Sequence, residues 1–183
     1  MRDICMHILD LVQNCVDAKS KNVFVILEEC YKEDFLRLTI KDDGCGIPKN
    51  ILDNITNPFT TTRTTRKVGL GTSLMDMVCK QSGGNFKIDS EVGVGTTVVA
   101  QMQLNHLDRP PLGDLVGTLK LMVMAYGEKV NLKFEYLLNG KSFCFSTRDL
   151  KDVIGEELSF TQPEILEWLA EFFSENIKLL KEA

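Results

Sequence analysis

Three short segments at fixed spacing most constrain how this chain can fold. The first, His7–Ala18, has helical periodicity; the second is the glycine turn Asp42–Ile47; the third is the glycine-rich stretch Val68–Thr72. Glycines in the second and third segments permit sharp turns between regular elements. The segments therefore predict a helix, a strand that ends on a tight turn, and a loop that opens a second helix.

Periodicity along the rest of the chain predicts further helices and strands in alternation. Asn139-Gly140 is a strong hairpin signal, and the pattern Thr161–Glu164 is typical of a helix start. The predicted helices cover residues 2–19, 48–55, 70–81, 115–126 and about 161–180. The predicted strands cover residues 22–30, 35–42, 85–91, 96–104, 130–138 and 142–147, and residues 56–68 are predicted to form a mobile loop that acts as a lid.

A proline-containing linker divides the chain into two predicted units. Residues 108–114 include Pro110 and Pro111 and interrupt the strand pattern. Residues 1–107 are then one domain, and residues 108–183 are a small α+β extension without a catalytic pattern. The last helix has an apolar face, which we expect to pack on residues 115–147 rather than to meet a partner.

Composition argues against several functional classes. The formal net charge of −5 argues against a nucleic-acid surface, and no apolar stretch approaches the 18 residues of a membrane span. The six cysteines lack zinc-ligand spacing and are typical of a reducing compartment. Cys45 stands apart because it lies inside the glycine turn. We therefore expect a cytoplasmic protein that contacts neither nucleic acid nor membrane.

A polar stripe follows the first helix. His7, Asp10, Asn14 and Asp17 recur at intervals of three, four and three, and so they line one helix face. An ordinary solvated face would show the same pattern. The Asn14 amide oxygen, however, suits Mg²⁺, and Asp10 could orient or deprotonate a water or hydroxyl near a phosphate. We interpret His7 as a helix-surface histidine rather than a phosphorylation site.

The second segment is a candidate for base recognition. A carboxylate at Asp42 can accept a hydrogen bond from the amino group of adenine. Guanine has a carbonyl there and would leave the carboxylate unpaired, at a cost of about 1–3 kcal/mol or more. Gly44 and Gly46 are predicted to supply a positive-φ turn that brings the backbone close to a planar ligand. Taken alone, the segment could also be a plain Asp-Asp-Gly turn.

The third segment is a candidate for phosphate binding. Gly69 and Gly71 precede a helix, so that unpaired amides and the positive end of the helix dipole can face an anion. The preceding run Thr60–Lys67 offers hydroxyl groups and positive charge. A solvated basic loop is the alternative. With Asp42 and Asn14, this segment predicts a site for Mg·ATP.

Together these segments resemble the N, G1 and G2 boxes of the GHKL superfamily, which includes gyrase, heat-shock chaperone, histidine kinase and mismatch-repair ATPases. The stretches Asn57–Thr62 and Ser90–Thr97 resemble further histidine-kinase motifs, and the likeness covers residues 3–104. It implies a Bergerat fold, an α/β two-layer sandwich whose mixed sheet is covered by helices on one face, with ATP and Mg²⁺ as cofactors. It implies Asp10 as the catalytic residue, Asn14 as the metal ligand, and a nucleotide site made of Asn14, Asp17, Asp42, Gly44, Gly46, Ile47, Phe59, Thr60, Thr61, Thr62, Gly69, Leu70, Gly71, Thr72 and Thr96.

Departures from the family pattern leave the activity open. Asp10 is one methylene shorter than the family glutamate, Lys67 replaces a glycine, and Thr72 replaces a leucine. We expect no phospho-acceptor helix pair before the first box. We therefore expect a histidine-kinase-like protein that acts on or regulates a separate protein partner. The alternatives are a nucleotide-gated binding module without catalysis, of the anti-sigma type, and a slow ATPase coupled to formation of a homodimer.

Overall fold

The computed structural model describes residues 3–53, 55, 70–155 and 157–182. These residues form helices and strands in nearly the order that periodicity predicts. The helices are α1 (Ile4–Asp17), α2 (Lys49–Leu52), α3 (Leu70–Gln81), α4 (Leu115–Tyr126), α5 (Thr147–Ile154) and α6 (Pro163–Glu182). The strands are β1 (Asn22–Cys30), β2 (Phe35–Asp42), β3 (Asn85–Glu91), β4 (Gly95–Gln103), β5 (Asn131–Leu138) and β6 (Lys141–Ser146).

One mixed sheet contains all six of these strands, in the order β3-β4-β2-β1-β5-β6. Strands β1 and β5 are parallel, with Val23 opposite Leu132, and the other neighbours are antiparallel. The strands of the predicted C-terminal extension thus continue the sheet of the N-terminal part. Pairing partners that far apart in sequence cannot be deduced from strand periodicity.

The sheet buries one face under a layer of helices. Along β1, Val23, Val25 and Leu27 are fully buried, whereas Phe24 on the opposite face is exposed. Helices α1 and α3 contact each other, as do α1 and α4, and α4 and α6. Strands with one buried face alternate apolar and polar residues, which is why their periodicity is visible in the sequence. The predicted two-layer sandwich is confirmed.

An aromatic cluster attaches α6 to the edge of the sheet. The Phe145 and Phe173 rings meet edge to face with centroids 4.9 Å apart, and Phe143 lies 5.7 Å from Phe172. Phe173 is fully buried, and complete burial of such a side chain contributes about 1.5–3 kcal/mol. The apolar face of the last helix therefore packs within the protein, as predicted.

Polar side chains define several element boundaries. The carboxylate of Asp3 accepts a hydrogen bond from the Met6 amide at 2.9 Å and caps α1, and Asp114 caps α4 in the same way. Asn139 and Gly140 both have positive φ, which confirms the hairpin between β5 and β6. Helix α5 was not predicted. Its signal is Ser146, which accepts a hydrogen bond from the Asp149 amide at 3.3 Å.

Candidate nucleotide-binding site

A cavity of about 120 Å³ lies between the C-terminal half of α1, the end of β2 and the strands β3 and β4. Pockets that hold drug-sized ligands are about 300–1,000 Å³, so the described cavity is large enough for only part of such a ligand. Seven predicted site residues line it: Asn14, Asp17, Asp42, Gly46, Ile47, Thr72 and Thr96. The fold thus brings together residues from all three sequence segments.

Asp42 is held rigidly at the base of this cavity. Its side chain is only 8% exposed, and Oδ1 accepts hydrogen bonds from the Gly44 amide at 2.7 Å and the Ser20 hydroxyl at 3.0 Å. The hydrogen bonds from Gly44 and Ser20 reach the same oxygen, and the Cys15 thiol makes a further contact with this carboxylate. The second oxygen can therefore accept a donor from a ligand in the cavity.

The two glycines after Asp42 serve different purposes. Gly46 has φ of +68°, as predicted, and an added Cβ would collide with the carbonyl oxygen of Glu91. The prediction of positive φ was wrong for Gly44, whose φ is not positive. A Cβ at Gly44 would lie 2.6 Å from the Ser20 hydroxyl oxygen and 2.8 Å from the Ala18 Cβ. Gly44 is needed for space beside α1.

Hydrogen bonds fix the glycine turn on both sides. The Cys45 amide donates to the Ala18 carbonyl at 3.0 Å, and the Cys45 carbonyl accepts from the Gly93 amide at 3.0 Å. The Ile47 amide donates to the Ser90 hydroxyl at 2.8 Å, and that hydroxyl lies 2.8 Å from the Thr96 hydroxyl. The turn is therefore clamped between the end of α1 and the β3–β4 hairpin.

Asn14 and Asp17 project from α1 into the same cavity. The Asn14 amide makes no side-chain hydrogen bond within the described part of the chain, so its oxygen is available to a ligand or a cation. Asp17 Oδ1 accepts a hydrogen bond from Gln13 Nε2 at 2.7 Å. The predicted polar stripe thus contributes two groups to the site.

Asp10, the predicted catalytic residue, does not line the described cavity. Its carboxylate lies directly over Gly71 in the first turn of α3, where an added Cβ would overlap Oδ2. Negative charge near a helix N-terminus is favourable. Sequence motifs placed Asp10 and Gly71 in separate boxes, and the fold brings them into contact.

The prediction for His7 was wrong. Its side chain is 1% exposed, and neither imidazole nitrogen has a hydrogen-bond partner among the described residues. Burial lowers the pKa of His7 from its ordinary value of 6.5. Helix α1 contacts both α3 and α4, so its polar stripe does not stay exposed along its whole length.

The apolar walls of the cavity were not predicted from the sequence. On α1, Leu11, Cys15 and Ala18 recur every three or four residues and flank Asn14, a spacing that is typical of any helix face packed on a core. Burial, followed by the charge of Asp42, raises the pKa of Cys15 far above its usual range, so this thiol stays neutral. The additional lining residues are Leu11, Cys15, Ala18, Cys45, Ile55, Ile88 and Val98.

Several predictions fall outside the described residues. They are the lid and the site residues Phe59, Thr60, Thr61, Thr62 and Gly69, while for Leu70 only its place at the start of α3 is described. Within the described ranges, no group of three or more His, Cys, Asp or Glu side chains could hold a metal ion. None of the described helices is both long and apolar enough to cross a membrane.

Comparisons with known proteins agree with this geometry. Residues 2–106 match the family model of histidine kinase-, DNA gyrase B- and HSP90-like ATPases. The sensor kinase CckA of Brucella abortus is 45% identical over 65 residues. These residues are 35% of this chain and 7% of that protein. A putative sensor protein of Shewanella frigidimarina is 34% identical over 50% of the chain and 14% of its own length. The sensor histidine kinase ZraS of Escherichia coli is 26% identical over 58% of the chain and 23% of its own length.

A solved structure of the N-terminal domain of a DNA repair protein superposes with a TM-score of 0.47 and 14% identity. The superposition covers 85% of this chain and 58% of that one.

The sensor kinases are much longer than the segments that match them. The likeness therefore concerns one domain of each relative. Because the family model spans more than half of the chain and the fold is the one it implies, this protein belongs to the histidine kinase-, DNA gyrase B- and HSP90-like ATPases, with a histidine-kinase-like ATP-binding domain.

Proposed function

We propose that the chain binds Mg·ATP in the cavity between α1 and the glycine turn and acts on, or regulates, a separate protein partner. The observation that carries the proposal is the placement of Asp42 and Asn14 on the walls of one cavity. One group suits the amino group of adenine, and the other suits a cation beside phosphates. For this chain, an activity like that of the longer sensor kinases is part of this proposal.

Base selection follows from the way Asp42 is held. Its Oδ1 is occupied by Ser20 and Gly44, which leaves the other oxygen as a fixed acceptor. A fixed acceptor favours adenine, because guanine has no donor at the corresponding ring position. Apolar contacts from Leu11, Ile88 and Val98 on the cavity wall would cover the faces of the base.

The residues present also fit Mg²⁺. Asn14 offers an amide oxygen without a described side-chain partner, and Mg²⁺ commonly takes one or two protein oxygens and completes its shell with phosphates and waters. When bound, the ion would offset the negative charge of the phosphates. The chain itself would hold the base through Asp42 and orient the phosphate end through Asn14.

A second candidate is a nucleotide-gated binding module without useful catalysis. It is favoured by Asp10, which is one methylene shorter than the family glutamate and lies against Gly71. A shorter acid held against a helix is less suited to deprotonate an attacking group. In this case ATP would control the binding of a partner without being consumed.

Calorimetry of ATP binding with Mg²⁺ and with EDTA tests the site. The Asn14→Ala variant should lose the Mg²⁺-dependent part of the affinity and keep its circular dichroism spectrum. Asn85→Ala is the matched control, since Asn85 is exposed at the other end of the β3–β4 pair. Undiminished Mg²⁺-dependent binding by Asn14→Ala would overturn the assignment.

A labelling experiment separates the two candidates. The protein is incubated with γ-labelled ATP, first alone and then with lysate of the source cells. Label on another protein indicates phosphoryl transfer, in which positioning and charge stabilisation dominate. Bound but unchanged ATP indicates a binding module. Release of free phosphate by the protein alone would contradict both and indicate an ATPase.

A further inference from the structure

We propose that the C-terminal part of the chain sets the affinity of the nucleotide pocket through Tyr126 and Gln13, which position the carboxylate of Asp17. The inference rests on the proposed nucleotide site and goes beyond it. It assigns a role to residues 108–183, in which no catalytic pattern occurs. Tyr126 and Gln13 are positioning residues, since neither lines the described cavity.

Two short hydrogen bonds connect α4 to the pocket. The hydroxyl of Tyr126, the last residue of α4, donates to Gln13 Oε1 at 2.7 Å. Gln13 Nε2 then donates to Asp17 Oδ1, also at 2.7 Å. Gln13 and Asp17 are one turn apart on α1, and Asp17 lines the cavity with Asn14. A group in the C-terminal part thus reaches the pocket through one intermediate side chain.

The direction of this relay is fixed by chemistry. An ionised carboxylate only accepts hydrogen bonds, so the NH₂ group of Gln13 must face Asp17. The carbonyl oxygen of Gln13 then faces Tyr126, which must donate. Burial, followed by the charges of Asp17 and Asp10, raises the pKa of Tyr126, so the phenol keeps its proton at neutral pH. Each group has one compatible orientation, and the relay therefore holds Asp17 in one rotamer.

A second connection runs from β5 to the glycine turn. Asn131 Nδ2 donates to Asn22 Oδ1 at 3.0 Å, and Asn22 Nδ2 donates to Asp43 Oδ2 at 2.7 Å. Asp43 directly follows Asp42. Side-chain hydrogen bonds consequently link the C-terminal part both to Asp17 and to the residue that follows Asp42. Such contacts would make the pocket responsive to any partner that shifts α4 or β5.

The test is the ATP dissociation constant of single and double variants, measured by calorimetry on the full chain. Tyr126→Phe removes one hydroxyl and keeps the ring, and Gln13→Ala removes the intermediate. A hydrogen bond contributes about 0.5–1.5 kcal/mol, so each change should weaken ATP binding about threefold to tenfold. In an Asp17→Asn background, Tyr126→Phe should have no further effect, because the group it positions is already altered.

Two tyrosines provide matched controls. Tyr136→Phe, also in the C-terminal part, removes a buried phenol that donates to Glu29 at 3.0 Å with no link to the cavity. It should lower the melting temperature and leave ATP affinity unchanged. Tyr31 is exposed, and Tyr31→Phe should change neither quantity. The Tyr136 control separates loss of stability from loss of positioning.

Several results would overturn the proposed relay. Unchanged affinity of Tyr126→Phe, or an equal loss in the Asp17→Asn background, would overturn the relay and leave the nucleotide site standing. An affinity loss in Tyr136→Phe as large as that in Tyr126→Phe would also overturn it. If the wild-type chain binds no ATP, the proposed function falls and the relay falls with it.

Discussion

Asp42 on β2 and Thr96 on β4 lie opposite each other across adjacent antiparallel strands. This register places Asp42 of the glycine turn beside Thr96 of the stretch Ser90–Thr97, and both side chains line the cavity. A one-residue slip of either strand would turn its side chain to the opposite face of the sheet and separate the two residues. The candidate nucleotide site therefore depends on the same strand pairing that defines the buried face.

Asp42→Asn should weaken ATP binding about tenfold to a hundredfold. A hydrogen bond to a charged group contributes about 1.5–3 kcal/mol, and an amide that keeps its oxygen toward Ser20 and Gly44 would present a donor to the adenine amino group. Calorimetry with ATP and GTP measures the effect, and selectivity for ATP should fall. The control is Asp89→Asn, an exposed position on β3. Equal ATP affinity in the two variants would contradict base recognition by Asp42.

Gly46→Ala should destabilise the protein more than Gly93→Ala. Both glycines have positive φ, which costs an alanine about 1–2 kcal/mol, but only at Gly46 would the added Cβ collide with backbone, at Glu91. No atom lies within 4 Å of a Cβ at Gly93. Overpacking adds about 1–3 kcal/mol, which lowers the melting temperature by about 2–4 °C per kcal/mol. Thermal unfolding measures both variants, and equal melting temperatures would refute the steric role of Gly46.

The stability of the protein should fall on acidification below pH 6.5 because of His7. Burial lowers the pKa of this residue, so between 6.5 and the lowered value the unfolded chain binds a proton that the folded chain does not. With respect to His7, the free energy of unfolding is therefore highest above pH 6.5. It decreases as the pH falls from 6.5 to the lowered pKa, by at most about 1.4 kcal/mol per pH unit.

His7→Met should reduce this pH dependence. The substitution removes two buried nitrogens without partners in the described chain, so the free energy of unfolding at pH 7.5 should stay equal or increase. Urea denaturation at pH 7.5, 6.5 and 5.5 measures both proteins. Parallel pH profiles for the variant and the wild type would show that His7 is not the titrating group.

Both parts of the chain should unfold together. Strand β5 pairs with β1 inside one sheet, and the buried core continues from α1 to α6. The single tryptophan, Trp168, lies on α6, is 45% exposed and stacks on Phe172 with centroids 4.9 Å apart, so its fluorescence reports on the C-terminal part. Urea transitions followed by Trp168 fluorescence and by circular dichroism should coincide. Two separated transitions would support independent domains that divide near residue 107.

Local features of the fold and site could be predicted from the sequence. Helical spacing predicted α1, alternation predicted β1 and β2, and Asn139-Gly140 predicted the final hairpin, because each signal depends on residues close in the chain. Asn14 and Asp42 could be proposed as site residues because their motifs are also local. Helix α5 was missed, as its signal is the single cap at Ser146.

Long-range relationships required the tertiary structure. The sequence by itself determined most of the elements, the glycine turn and the side chains that are candidates for nucleotide binding. Only the fold decided that β5 lies parallel to β1, that His7 is buried, that Gly44 is needed for space, and that Tyr126 reaches Asp17 through Gln13. The physical reason is that burial and hydrogen-bond partners depend on which surfaces meet, and helical or strand periodicity carries no information about residues a hundred positions away.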